Sequence, residues 1–429
     1  MQRFLMDELV VWKNKTNRKP LILKGARQVG KTWIMKEFGK THFKKVAYVT
    51  FYNNQRMKQV FDTDYDIDRI IMNINIETHT EVTPEDTLII FDEIQEAPKA
   101  LESLKYFCEN TPEYPIIAAG SLLGVAIHNS TSYPVGKVEN MELYPMNFRE
   151  FLMAMGEDGL AQLITEKKYA YMSDFREKYI FWLKNYYYVG GMPEIVSYFS
   201  AHKNYDEVRK MQNNILEQYE NDFGKHTPPN ELPRIRMVWN SIPLQLAKEN
   251  KKFFFGKIKE GARAKDFELA IEWLQDCGLI TKVYKVSKPA VPLKAYLDFT
   301  SFKLYLLDVG LLGALSELDA ESILEGNSIF VEFKGALTEQ YVLQQIVSDT
   351  SYKPYYFAGE KSNYEVDVLI QKGKNVVPVE VKAEENLRAQ SLKYYCEKYT
   401  PEYAVRTSMS DYREQEWMVN VPLYAVGTL

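Results

Sequence analysis

Two clusters of residues in this 429-residue chain have the types and spacing that chemistry on phosphate needs. The first is Gly25-Ala26-Arg27-Gln28-Val29-Gly30-Lys31-Thr32, which fits G-x-x-x-x-G-K-[ST]. Glycines let backbone N–H groups turn inward around phosphate oxygens, and a following helix N-terminus adds partial positive charge. Lys31 would reach the β- and γ-phosphates of ATP, and Thr32 would hold Mg²⁺ through its hydroxyl. Downstream, Thr87–Phe91 is an apolar run ending in Asp92-Glu93. Such a run suits a strand buried on both faces of a parallel sheet, with ligands bound at its carboxyl end. That puts Asp92 beside Mg²⁺ as a Walker-B carboxylate and Glu93 beside the attacking water as general base.

The second cluster is C-terminal. Tyr364–Ile370 alternates as a strand does and carries Asp367; Val376–Lys382 follows and ends Glu380-Val381-Lys382. A period of two puts Glu380 and Lys382 on one face. A hairpin around Lys372–Asn375 would bring Asp367 beside them, and a helix over Gly335–Val342 could add Glu339. Carboxylates plus one lysine are what metal-assisted phosphodiester cleavage requires, with Asp367 and Glu380 as ligands of a second Mg²⁺ or Mn²⁺. An exposed hairpin carrying a salt bridge would have the same residues.

The elements that must position these groups follow from hydrophobic pattern. Strands are expected at 20–24, 46–51, 87–91 and 115–119, with a weaker one near 138–144, and helices between several of them. That order predicts a parallel sheet covered by helices on both faces. From 146 to about 225 the chain turns helical and aromatic, until Gly190-Gly191-Met192-Pro193 breaks it. A helix over 264–274 should stop at Gly278, a left-handed cap position. Strands at 279–286 and 291–297 then give the outline of a winged helix-turn-helix. From about 321 a long helix should precede three strands and another helix.

Composition narrows the classes. Hydrophobic residues make up 46% and charged residues 26%, as in an ordinary globular protein of several domains. No apolar run is long enough for a bilayer span, and the start lacks a signal-peptide pattern, so no membrane partner is expected. Three scattered cysteines, Cys108, Cys277 and Cys396, indicate neither disulfides nor zinc and point to a reducing, cytoplasmic setting. The net charge of −5 does not mark a nucleic-acid binder. Residues 225–290, however, hold thirteen Lys/Arg against seven Asp/Glu, an excess of six positive charges.

With these residues in hand, the chain resembles a bacterial and archaeal family of AAA+/STAND-related ATPases with a C-terminal restriction-endonuclease-like domain of unknown function. The matching stretches are Leu23–Thr32, Ile90–Pro98, Ala119–Leu122, Tyr144–Phe151, Gly190–Glu194, Phe302–Leu312 and Val376–Lys382. The resemblance implies a sheet of order 5-1-4-3-2, a helical lid and a winged helix. It implies an ATPase core over 1–155, a lid over 156–226, the winged helix over 227–320 and the nuclease-like domain over 321–429. Ser121 falls at the sensor-1 position, and Pro193 belongs to a Gly-x-Pro motif that packs against adenine in STAND-type ATPases. Glu339, Asp367, Glu380 and Lys382 match the PD-(D/E)xK pattern. Lys137 stands where relatives usually carry Arg, and Arg149 is the nearest guess at an arginine finger.

The leading expectation is therefore a Mg²⁺-dependent ATPase whose nucleotide state controls a winged-helix and nuclease-fold module acting on DNA. The alternative is an ATP-driven switch whose nuclease-like domain is a non-catalytic platform, for a partner protein or for nucleic acid. A chaperone-like assembly ATPase without any nucleic-acid role is the third reading.

Overall fold

The structure, a computed structural model, describes residues 1–120, 133–227, 229–248, 251–324, 331–359, 364–384 and 389–429. The chain divides into two compact units. One holds Gln2–Tyr144 with Asp276–Gly278; the other comprises chiefly Pro145–Gln275 and Leu279–Leu429.

The first unit is built on β1 (Leu21–Lys24), β2 (Lys45–Thr50), β3 (Thr87–Asp92), β4 (Ile116–Ala119) and β5 (Glu139–Glu142). They form a five-stranded sheet of order β2-β3-β4-β1-β5, which is the expected 5-1-4-3-2 read from its other edge. Every pairing in it is parallel. β3 is buried at all six positions, which explains why Thr87–Phe91 reads as an unbroken apolar run. The helices α1 (Leu5–Lys13), α2 (Lys31–His42), α3 (Gln55–Thr63), α4 (Ile67–Thr78) and α5 (Pro98–Asn110), with a short helical turn at Ile94–Glu96, accompany these strands. Phe51, Phe61 and Phe91 meet edge to face or tilted in the core that α3, α4 and α5 close over the sheet.

The second unit opens with helices and ends in an eight-stranded sheet. Its strands are β6 (Ile280–Val286), β7 (Leu297–Leu306), β8 (Tyr355–Ala358), β9 (Glu365–Lys372), β10 (Asn375–Val381), β11 (Val405–Ser408), β12 (Arg413–Glu414) and β13 (Val419–Pro422). The order is β12-β13-β11-β10-β9-β8-β6-β7. Two expectations change here. The second hairpin strand starts at Leu297, not Val291, because Pro292 lacks a donor and the chain makes a helical turn over Leu293–Tyr296 first. The helix expected over 264–274 runs from Glu268 to Asp276, because the Asp266 carboxylate takes the Arg263 N–H at 3.0 Å and closes a separate turn at Ala264–Asp266. Gly278 has φ +72°, as its cap position requires. The hairpin also pairs with the C-terminal strands: Lys285 of β6 lies opposite Tyr356 of β8.

Candidate functional site

The loop between β1 and α2 wraps its own lysine. Lys31 Nζ donates to Gly25 O at 2.8 Å and Ala26 O at 2.6 Å, the carbonyls of the loop's first turn. Gly25, at φ +142°, has no alternative: a Cβ there would lie 2.3 Å from Leu143 O. Gly30, at φ +95°, turns the chain into α2. Gln28 is also left-handed, at φ +66°. Arg3 holds the loop from behind, donating to Val29 O at 3.0 Å and to Tyr144 O at 2.7 Å. Burial lowers the Lys31 ammonium to about 8, against the pull of Glu93 and Asp92 and with a small push from Arg27.

Parallel pairing of β2, β3, β4 and β1 brings the Asp92 carboxyl to the start of α2. Thr32 Oγ1 donates to Asp92 Oδ2 at 2.7 Å, and Tyr48 OH donates to the same oxygen at 2.9 Å. Burial and the Asp92 charge push the Tyr48 phenol well above its ordinary range, so it remains a donor. Lys36 Nζ sits 3.7 Å over the Tyr48 ring. Glu93 is left-handed at φ +53°, its N–H donates to Asp92 Oδ1 at 3.0 Å, and its side chain accepts from Gln95. The hydroxyl of Thr32 and the carboxylate of Asp92 meet at the helix start, which is the donor set Mg²⁺ with nucleotide requires. Ser121 lies outside the described residues.

In the second unit, three motifs of the sequence meet in one buried knot. Asp308 Oδ2 accepts from Gly191 N at 2.6 Å and from Gln344 at 3.0 Å; Oδ1 accepts from Leu311 N at 3.0 Å. Met146 N donates to Gly191 O at 2.7 Å. A Cβ on Gly190 would lie 2.0 Å from Asp308, and one on Gly191 would lie 2.1 Å from Met146 O. The two glycines thus have a packing reason of their own. Pro193 opens the helix Pro193–His202 at its first turn. Arg149 is engaged, holding Asp349 at 2.7 Å; burial, opposed by Arg149, pushes that carboxyl up to about 6. Lys137 in the first unit pairs with Glu109 at 2.9 Å on the surface.

The C-terminal residues do come together. Val379 lies opposite Val368, so the antiparallel register of β9 and β10 puts Glu380 opposite Asp367, on one face. Asp367 Oδ2 accepts from Val381 N at 2.7 Å, and Lys382 pairs with Glu380 Oε1 at 2.6 Å. Glu339, on the helix Val331–Asp349, is buried against Lys303 at 3.0 Å, with Lys251 and Tyr305 also bonded to it. Lys303 bridges on to Glu365 at 2.6 Å. Burial works to raise the Glu339 carboxyl, but Lys251 and Lys303 hold it down at about 2. Burial, Glu380 and Glu339 push Asp367 the other way, to about 8. Burial likewise raises Glu380, against Lys382. Sequence reasoning missed Tyr48, Arg3, Lys251, Lys303 and Tyr305. Lys303 and Tyr305 carried a signal, polar residues alternating inside the apolar stretch Phe302–Leu312, where a buried charge demands a partner.

Comparison with known proteins fixes the class of the first segment. Residues 17–152 match a family model described as an AAA domain. With the geometry above, this segment is an AAA-type P-loop ATPase domain. Residues 180–322 and 334–426 match two models each described as a domain of unknown function, DUF8612 and DUF4143. No curated protein matches the chain in sequence. Among solved structures, the Walker-type ATPase PABY2304 of Pyrococcus abyssi is similar at 12% identity and TM-score 0.48, over 73% of this chain and 95% of that one. The Aeropyrum pernix ORC1 protein in complex with DNA is similar at 12% identity and TM-score 0.26, over 73% and 90%. Drosophila ORC bound to DNA stands at 14% and 0.26, over 75% and 94%. No helix among the described residues is long and apolar enough to cross a membrane.

Proposed function

We propose that the chain is a Mg²⁺-dependent ATPase whose nucleotide state controls its C-terminal module. The observation that carries this is the Thr32–Asp92 hydrogen bond at 2.7 Å, with Glu93 next in the chain. Thr32 and Asp92 are the residues that would hold Mg²⁺, which when bound neutralises charge on the phosphate oxygens. Lys31 leaves its two carbonyl partners for the β- and γ-phosphates. The N–H groups of Gly25–Thr32 cradle the same oxygens. Glu93 orients the attacking water and takes its proton, and Ser121 is assigned the polar contact near the γ-phosphate. Pro193 is assigned to the adenine side. The setting proposed is the cytoplasm.

We further propose that a helical lid over 156–226 follows the ATPase core over 1–155, and that the module comprises a winged helix over 227–320 and a restriction-endonuclease-like domain over 321–429. In support, helices Leu232–Leu246 and Glu268–Asp276 precede the β6–β7 hairpin, and Asp367, Glu380 and Lys382 share one face. DNA is the proposed partner, on the charge excess over 225–290, where Lys257, Lys259, Arg263 and Lys265 are exposed. A second reading, a non-catalytic platform, is favoured by the lysines that already engage Glu339. Cleavage assays with Mg²⁺ or Mn²⁺ separate the two. Loss of cleavage in Asp367→Ala with ATP hydrolysis intact supports a nuclease. Intact plasmid, branched and single-stranded DNA after incubation with wild type supports the platform.

A further inference from the structure

Clustered carboxylates such as Glu339, Asp367 and Glu380 need a cation among them, a divalent ion or a lysine, and the residues present do not fit the divalent ion. Both oxygens of Glu339 are taken: Oε1 accepts from Lys303 at 3.0 Å and from Tyr305, and Oε2 accepts from Lys251. Lys303 Nζ lies between Glu339 and Glu365, 2.6 Å from the latter, and 4.8 Å from the centre of the Tyr356 ring. That is the place a cation bridging two carboxylates would hold. Lys303 is only 1% exposed, so it has no water to retreat into if an ion displaced it. Lys382 engages Glu380 Oε1. Three ammonium groups thus face the four carboxyl groups of Glu339, Glu365, Asp367 and Glu380. A divalent ion added beside Lys303 would meet a like charge and a Glu339 whose two oxygens already accept from lysines and a tyrosine. Of the four carboxylate oxygens of Glu339 and Glu380, only Oε2 of Glu380 is without a hydrogen-bond partner among the described residues, where Mg²⁺ wants a near-octahedral set.

We infer that Lys303 is the resident cation of this cluster, so that the C-terminal domain keeps a nuclease-like carboxylate arrangement but takes no divalent ion. This rests on the nuclease-like reading of 321–429 and is independent of the ATPase reading. It makes the lysines part of the site: Lys303 as the bridge, Lys251 as the clamp on Glu339, Lys382 as the partner of Glu380.

Mn²⁺ titration of the nucleotide-free full chain, read by electron paramagnetic resonance, tests it. Wild type and Glu380→Gln should bind Mn²⁺ identically, since whatever binds near Asp92 is common to both. A Mn²⁺ ion held by wild type and lost in Glu380→Gln would overturn the inference. A second arm uses Lys303→Met. With the bridge removed, Mn²⁺ should raise its melting temperature by several degrees more than it raises that of wild type, whose shift comes from the site near Asp92 alone. A variant that Mn²⁺ stabilises no more than wild type would show that Lys303 does not stand in a cation's place. Should the variant fail to fold, the comparison of wild type with Glu380→Gln still decides. Neither readout involves ATP, so failure here leaves the ATPase reading intact.

Discussion

Lys31 is poised at the edge of ionisation. Its pKa of about 8 reflects burial, which Glu93 and Asp92 only partly offset. Phosphate binding needs the ammonium form. Below pH 8 the lysine is charged and ready; above it each pH unit removes most of what remains. ATP affinity should therefore weaken about tenfold between pH 7.5 and 9. Titration of a fluorescent ATP analogue across that range checks this, and flat affinity to pH 9.5 would contradict it. These residues were legible because they are neighbours in sequence: eight positions spell the loop, and an apolar run points at Asp92. Tyr48 and Arg3 were not legible. Tyr48 reaches Asp92 only because β2 pairs with β3 in the register that sets Thr50 opposite Asp92.

At the scale of elements, the knot around Asp308 and the basic segment each yield a test. Gly190 has φ +75° and ψ −166°, a region open essentially to glycine alone. Gly190→Ala should cost at least about 1–3 kcal/mol from the backbone, before the clash with Asp308. Asp308→Ala strands the Gly191 and Leu311 N–H groups, at about 1–3 kcal/mol each. Denaturant midpoints measure both, and wild-type midpoints would contradict the knot. Sequence resemblance had pointed Gly191 and Pro193 toward adenine, and the partner of Gly191 that the structure adds is a carboxylate more than a hundred residues away, beyond any local pattern. The basic segment predicts weak DNA binding by charge. Affinity should fall steeply with salt, and neutralising Lys257, Lys259, Arg263 and Lys265 together should weaken it across all sequences. Binding indifferent to both changes would remove the DNA proposal.

For the whole molecule, the sheet orders set what could be read beforehand. The order of the first sheet follows from the P-loop fold, and the strands at 20–24, 46–51, 87–91 and 115–119 lie within one or two residues of where hydrophobic runs put them. The second sheet was harder. The hairpin β6–β7 and the C-terminal strands read as separate modules, yet they share one sheet, and that sharing delivers Lys303 and Tyr305 to Glu339. Alternation along one strand cannot say which strand of another segment will lie alongside it.

The central claim is that Gly25–Thr32, Asp92 and Glu93 form a hydrolytic ATP site. Steady-state ATP turnover with Mg²⁺ tests it most directly, comparing wild type with Glu93→Gln and Lys31→Ala, with nucleotide binding measured in parallel. Glu93→Gln should bind ATP as wild type does but turn it over roughly 10²–10⁴-fold more slowly, as loss of a general base costs. Lys31→Ala should not bind it. Wild-type turnover in Glu93→Gln, or no turnover in wild type under any condition of Mg²⁺ and DNA, would contradict the account.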